Sequence, residues 1–370
     1  MTVQLHQLAA MLDRPGPYCT VLADVTRSTE DSEHQIELAM RSINERLTDA
    51  EAPPDLVDEV TGRFLEPLGV HGHVARFVVA CEQGVLADEI LTQWTAPEVA
   101  TYGSLPDVTA WLAYKEDSNP VLVVRADKVG ADLAWYGSWN NDRPDEQRRV
   151  DGETLHLNKV PDGGMAMTDL QSPTEEVWRR NARLVAGELG RMTGSHPPLI
   201  VLSGDPRASY EIREAMNPRL QSVTVEADHG SRAAGSSEAN LRSEVGQFVR
   251  DALIHRRLAA VRDYQERLGQ GRSVARGLGE VLDRCAMNQV ETVLVDHPAA
   301  AETLTRPADH PGLALRASAA EDSYVRGDLA ALAAAAATGA EATFVGPATL
   351  GDVAVAALLR GRSGAGSQVK

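Results

Sequence analysis

Cysteine is scarce in this sequence, and the three thiols present, Cys19, Cys81 and Cys285, are odd in number and far apart. That excludes a disulfide framework and any Cys-x-x-Cys metal or redox site, leaving small buried hydrophobes as their default role. Long apolar runs are also missing. None approaches the roughly 20 residues that cross a bilayer. The N-terminal stretch MTVQLHQLAAMLDRPG lacks the basic start and apolar core of a secretion signal. The expectation is a cytoplasmic protein with no membrane partner. Positive charge is short as well: 36 Lys and Arg face 53 Asp and Glu, for a formal net charge of -17.

Most of that imbalance is N-terminal. Residues 1–118 carry 20 acids against 7 bases, residues 119–261 carry 20 against 18, and residues 262–370 carry 13 against 11. Strong sequence-independent attraction to free RNA or DNA needs clustered Lys and Arg, so it is not expected. Docking into one shaped RNA site stays open. The chain of 370 residues is long enough for two or three domains with sizeable cores.

Strand and helix signals alternate along the chain. Tyr18 to Val25 reads as a buried strand, followed by the polar turn Thr26-Arg27-Ser28-Thr29. Ser32 with Gln35 predicts the cap of a helix whose apolar stripe is Ile36, Met40, Ile43 and Leu47. Pro53 and Pro54 break the chain before a helix with Leu56, Val57, Val60, Phe64 and Leu65 inward. Strands are expected at Val74 to Ala80, Val85 to Leu91, Val121 to Arg125, Ala131 to Tyr136, Leu199 to Leu202 and Val223 to Val225. Ser203-Gly204-Asp205-Pro206 starts a helix, and from Glu238 a long helix turns Leu241, Val245, Phe248, Val249, Ala252 and Leu253 inward. Past Gly269-Gln270-Gly271, Val274, Leu278, Val281 and Leu282 mark a helix feeding the strand Val290 to Val295. Ala330 to Ala337 reads as a helix stopped by Gly339, Ala342 to Val345 as a strand, Gly351 to Arg360 as a last helix and Gly361 to Lys370 as a disordered tail.

The chain turns on the stretch from Asn158 to Met192. Asp162-Gly163-Gly164-Met165 predicts a loop tip, because paired glycines cannot pack a strand interior. Ser172, Pro173 and Glu175 spell a helix beginning at Pro173. Val177, Leu184, Val185, Leu189 and Met192 fall on one side of that helix and Arg179, Arg180 and Arg183 on the other, giving one packing face and one cationic face.

A glycine-tipped loop followed by a basic helix resembles the middle domain of archaeo-eukaryotic release factors, whose Gly-Gly-Gln enters the peptidyl transferase centre. LIVLSGDPRASYEIREAMNPRLQS and YQERLGQGRSVARGLGEVLDRCAMNQVETVLV resemble the junction between middle and C-terminal domains of the release factor and Pelota families. Within that superfamily the chain most resembles the bacterial branch, with its actinobacterial members and the Balon hibernation factors. The resemblance implies an α/β fold of three α/β domains with archaeo-eukaryotic release factor and Pelota architecture. Residues 1–118 would face the decoding centre, with Thr26, Arg27 and Ser28 as candidates. Residues 119–261 would face the peptidyl transferase centre, and residues 262–370 a translation GTPase. On the peptidyl-transferase side the rRNA-binding candidates are Lys159, Asp162, Gly163, Gly164, Met165, Arg179, Arg180 and Arg183.

Two departures from the family pattern shape the functional expectation. The stop-codon-reading Asn-Ile-Lys-Ser loop is replaced by Asp49-Ala50-Glu51-Ala52-Pro53-Pro54, whose carboxylates would repel mRNA phosphates. Met165 stands where the hydrolytic Gln would be, and a thioether cannot both donate and accept hydrogen bonds to position water. No enzymatic activity, cofactor or catalytic residue is therefore expected. His71-Gly72-His73 lacks a third metal ligand nearby, and Gly271-x5-Gly277-x-Gly279 lacks a Walker ending. The arginines at 250, 256, 257, 262 and 267 read as a solvated helix face. The resulting expectation is a hibernation factor that binds the A site of idle bacterial ribosomes, meeting rRNA and proteins of both subunits, with elongation factor Tu as partner. The alternatives are a Pelota-like rescue factor and a peptidyl-tRNA hydrolase with a variant loop.

Overall fold

The computed structural model describes residues 2–28, 31–68, 72–94, 97–117, 119–152, 167–194, 197–230, 238–310, 312–313 and 324–360. The chain divides into two compact units, Met1–Glu116 with His255–Lys370, and Asp117–Ile254.

The first unit begins with α1 (Thr2–Leu12), β1 (Tyr18–Asp24), α2 (Ser32–Asp49), α3 (Pro54–Leu65), β2 (Val74–Cys81), β3 (Gly84–Thr92), β4 (Val99–Gly103) and α4 (Thr109–Asp117). Its strands form an antiparallel sheet in the order β3-β2-β1-β4. Both faces of β1 are covered, which is why its sequence runs apolar without alternation. Cys19, Val21 and Ala23 pack with Ile36, Ile43 and Phe64 from α2 and α3, while Tyr18 and Leu22 enter the core on the other face. The apolar stripe expected on α2 is buried, but Ser32 is the first helical residue rather than the cap, and Asp31 before it makes no side-chain cap bond. On α3, Leu65 is exposed because it lies at the last residue, past the packed turn.

The second unit holds β5 (Val121–Ala126), β6 (Gly130–Tyr136), β7 (Glu146–Asp151), α5 (Met167–Thr193), β8 (Leu199–Gly204), α6 (Pro206–Ala215), α7 (Pro218–Gln221), β9 (Thr224–Glu226) and the first part of α8 (Glu238–Gly269). The sheet order is β7-β6-β5-β8-β9, with β5, β8 and β9 parallel and β6 and β7 antiparallel. Period-two alternation sorts the strands: Leu122, Val124, Ile200 and Leu202 face Val185 and Leu189 of α5, while Val121, Val123 and Val201 face Leu241, Val245 and Val249 of α8. Ala252 of α8 is exposed, contrary to expectation.

Four strands of the C-terminal stretch, β10 (Val274–Arg276), β11 (Val290–Val295), β14 (Glu341–Phe344) and β15 (Val355–Leu359), make a sheet ordered β10-β15-β11-β14. Between them lie α9 (Leu278–Ala286), α10 (His297–Ala301), the short pair β12 (Leu304–Thr305) and β13 (Val325–Arg326), and α11 (Gly327–Thr338). Two corrections fall here. Val274 is in a strand, with α9 starting only after Gly277, and the expected last helix over Gly351 to Arg360 is instead the turn before β15 and the strand itself. A five-residue run buried on both faces carries no period to distinguish helix from strand; its length favours the strand. The expected solvated arginine face of α8 is also partly engaged, since Arg257 reaches Glu116 at 2.7 Å and Arg267 reaches Asp263 at 2.8 Å. The tail from Gly361 lies outside the described residues.

Candidate functional site

Unit two carries the candidate surface, around the end of β7 and the start of α5. Lys159, Asp162, Gly163, Gly164 and Met165 lie outside the described residues, but the two ends that position them do not. β7 stops at Asp151, and the Gly152 N–H donates to the Val129 carbonyl at 2.7 Å. A Cβ on Gly152 would lie 2.1 Å from Asn181 Oδ1, so only glycine lets the chain leave the sheet this close to α5. Asn181, buried on α5, donates from Nδ2 to the Lys128 carbonyl at 3.1 Å and ties the helix to the β5–β6 turn. That turn is set by Asp127, whose Oδ1 accepts from the N–H groups of Val129 and Gly130.

α5 begins at Met167, so Ser172 and Pro173 lie inside it rather than at its start. The Ser-Pro-x-Glu signal is local. A proline this far into a helix lacks the N–H for one bond to the preceding turn and crowds the carbonyl four residues back, so the helix runs through Pro173 at a local cost. Beyond it the two-faced reading holds with one exception: Ala182, Val185, Ala186 and Leu189 are buried, whereas Leu184 is exposed beside Arg183. Arg179, Arg180 and Arg183 are all exposed.

The structure adds residues to this surface that periodicity does not reveal. Trp178 lies beside Lys128 Nζ, 4.9 Å from its ring centroid, and Arg207 Cζ, 4.8 Å away. Arg207, in the first turn of α6, also reaches Glu175 at 2.6 Å, while Arg179 stands 3.7 Å from the other oxygen of Glu175. Asp205 caps α6 by accepting from the N–H groups of Arg207 and Ala208, and lies 3.8 Å from Lys128. Together, Lys128, Arg179 and Arg207, against the two carboxylates of Glu175 and Asp205, give a partly compensated cationic patch around one indole. Such a patch suits phosphate and base contacts better than proton transfer. The motif Asp-Pro-Arg after a buried strand was the available signal for Arg207; nothing local marks Lys128 as its neighbour.

The decoding-side candidates belong to unit one. Thr26 closes the end of the sheet, its N–H donating to Asp24 Oδ1 at 2.7 Å and its Oγ1 accepting from the Val74 N–H at 3.0 Å. Arg27 donates to the Phe64 and Leu65 carbonyls at 3.4 and 3.3 Å, capping the C-terminus of α3. Ser28 is exposed. The connection between α2 and α3 presents Asp49 and Glu51 outward, with Glu51 in the left-handed region at φ 62°.

No thiol here is placed for nucleophilic work. All three cysteines are buried, and burial pushes Cys19 up to about 12 and Cys285 up to about 11. His71 lies outside the described residues and His73 is exposed. Among the described residues no group of three or more His, Cys, Asp or Glu could hold a metal ion, and no helix is long and apolar enough to cross a membrane.

Comparison with known proteins places one part of the chain. The model of bacterial archaeo-eukaryotic release factor family 2 matches residues 120–270, the segment that holds β7, α5 and α6. Two uncharacterized proteins of Mycobacterium tuberculosis, from strains CDC 1551 and H37Rv, are 23% identical over 307 residues, covering 81% of this chain and 80% of each of them. Among solved structures, a ribosome-bound archaeal Pelota is 13% identical with a TM-score of 0.40, covering 98% of this chain and 94% of that one. A translation termination-like factor of S. cerevisiae involved in RNA quality control is 9% identical with a TM-score of 0.41, covering 78% and 80%.

Proposed function

We propose that this protein is a translation factor of the release factor and Pelota type that binds the ribosome without releasing peptide. On this reading it occupies the A site of idle ribosomes as a hibernation factor. The observation that carries the proposal is the family match over residues 120–270, which includes the close approach of Gly152 to α5 and the exposed arginines of α5. The loop of residues 153–166 would enter the peptidyl transferase centre, with Lys159 and the arginines on rRNA phosphates. Unit one would meet the decoding side and a GTPase, for which elongation factor Tu is the candidate.

Absence of peptide release follows from Met165, the residue after Gly163-Gly164, whose side chain cannot orient water as an amide does. The acidic α2–α3 connection supports a role that does not read a stop codon, because Asp49 and Glu51 would repel mRNA phosphates. The test is sedimentation of growing and starved cell extracts with detection of this protein. Co-migration with vacant ribosomes after starvation is expected. A protein that stays at the top of the gradient in both states, at low and moderate salt, overturns the proposal.

A further inference from the structure

Unit one is assembled from two stretches far apart in sequence, and they share one apolar core. Leu5, Leu8 and Met11 of α1, with Phe77 and Trp111, pack in the same cluster as Ala331, Leu332 and Ala334 of α11. Non-directional burial of this kind holds the stretches together but does not fix their register. Two buried polar contacts do.

The first centres on Asp328, fully buried at the start of α11. Its Oδ2 accepts from Thr109 Oγ1 at 2.8 Å and Arg326 Nη2 at 2.6 Å, and lies 3.1 Å from His297 Nδ1. Arg326 also donates from Nη1 to Asp107 Oδ2 at 2.6 Å, so one guanidinium bridges a carboxylate from each stretch. The second centres on Glu116, only 2% exposed, which accepts from Arg257 Nη2 at 2.7 Å, Thr343 Oγ1 at 2.7 Å and the Phe344 N–H at 3.4 Å. A buried carboxylate is tolerated only when its oxygens are matched by donors at the right positions. Sliding one stretch against the other would strand Asp107 and Glu116 inside apolar surroundings and take the Thr109 hydroxyl from Asp328.

We infer that these contacts form a two-point lock, with Asp107, Thr109 and Glu116 on one side and Arg257, Arg326 and Asp328 on the other. The lock makes the first and last stretches of the chain one rigid body in solution. Surfaces on α2 and α3 are then presented at a fixed distance from surfaces on α9 and α10, whatever the protein binds.

The experiment uses the full-length protein carrying Arg41→Cys and Glu302→Cys, two exposed positions, one in each stretch. The native thiols are buried, and burial raises those of Cys19 and Cys285, so spin labels go to the new sites. Electron–electron resonance should give a single narrow distance. A broad or two-peaked distribution overturns the inference. In Arg326→Met combined with Glu116→Gln, a second, longer population should appear. A distribution as narrow as the parent's, in a variant with the parent's circular dichroism, removes the lock as the cause. Should that variant fail to fold, Thr109→Val takes one hydrogen bond from Asp328 at nearly constant volume. Amide exchange in α1 and α11 should then accelerate while that of β5 and β8 stays put, and unchanged exchange in α1 and α11 overturns the inference.

Discussion

At the scale of single residues, buried charge has the largest consequences. Arg326→Met leaves Asp107 and Asp328 without their shared cation, and breaking such a buried pair costs about 3–5 kcal/mol, which urea denaturation should read. The two carboxylates respond oppositely to pH. Burial pushes Asp328 upward, but hydrogen bonds from His297, Arg326 and Thr109 outweigh it and hold its carboxyl below the usual range. Asp328 therefore binds fewer protons folded than unfolded. Its stabilisation is in place above about pH 4 and is lost as pH falls. Burial raises Asp107 against the pull of Arg326, so its contribution is greatest at low pH and falls as pH rises through the raised value. The stability gap between the parent and Asp328→Asn should narrow below about pH 4; a gap that stays constant there contradicts the assignment. Ala348, at φ 58°, sits in the left-handed region while its N–H donates to Asp296 Oδ2 at 3.0 Å. Relieving that conformation gains about 1–2 kcal/mol, and glycine's greater freedom when unfolded returns about 0.5–1. Ala348→Gly should stabilise the protein by about 0.5–1 kcal/mol in thermal or urea unfolding. None of this was legible in the sequence, because Thr109 and Asp328 meet across 219 positions and no local pattern announces the pairing.

Elements were more legible, and their failures have physical reasons. The stripe Ile36, Met40, Ile43 and Leu47 is buried as its spacing predicts, and Asp205-Pro206 caps α6. β15 was misread because five buried residues of Ala, Val and Leu suit either element, and the strand wins by pairing with both β10 and β11. α1, β4 and β7 were not anticipated: Leu5, Leu8, Ala9 and Leu12 do stand at helical spacing in α1, whereas β7 is a polar edge strand that burial cannot mark. For α5 the structure, which buries Leu189 and exposes Leu184, makes a sharp prediction against the spacing that put both on the packing face. Leu189→Ala should cost about 2–5 kcal/mol, while Leu184→Gln should change stability by about 0.5 kcal/mol or less. Equal losses would mean that Leu184 faces the core. On the cationic side, replacing Arg179, Arg180 and Arg183 with Gln should leave folding nearly intact. Ribosome affinity should fall and its salt slope flatten by up to about 0.9 log units per lost phosphate contact. Unchanged affinity and slope would make these arginines a solvated face.

For the whole molecule, the alternation of strands and helices revealed an α/β chain, and the quoted middle segments revealed the resemblance that the family match over residues 120–270 supports. The shared core of residues 1–116 and 255–370 was hidden, because nothing in either stretch alone says that Trp111 and Ala334 belong to one cluster. On the candidate surface, the exposure of the α5 arginines was marked by period, whereas Trp178, Lys128 and Arg207 converge only in three dimensions. The function proposed for the protein is ribosome binding at the A site without peptide release. Its most direct test is addition of the purified protein to vacant ribosomes and to ribosomes carrying peptidyl-tRNA, with chemical probing of rRNA and an assay for freed peptide. Protection of A-site nucleotides in both subunits, competition with A-site tRNA, and intact peptidyl-tRNA are expected. Simultaneous binding with A-site tRNA, or robust release of peptide, would contradict it.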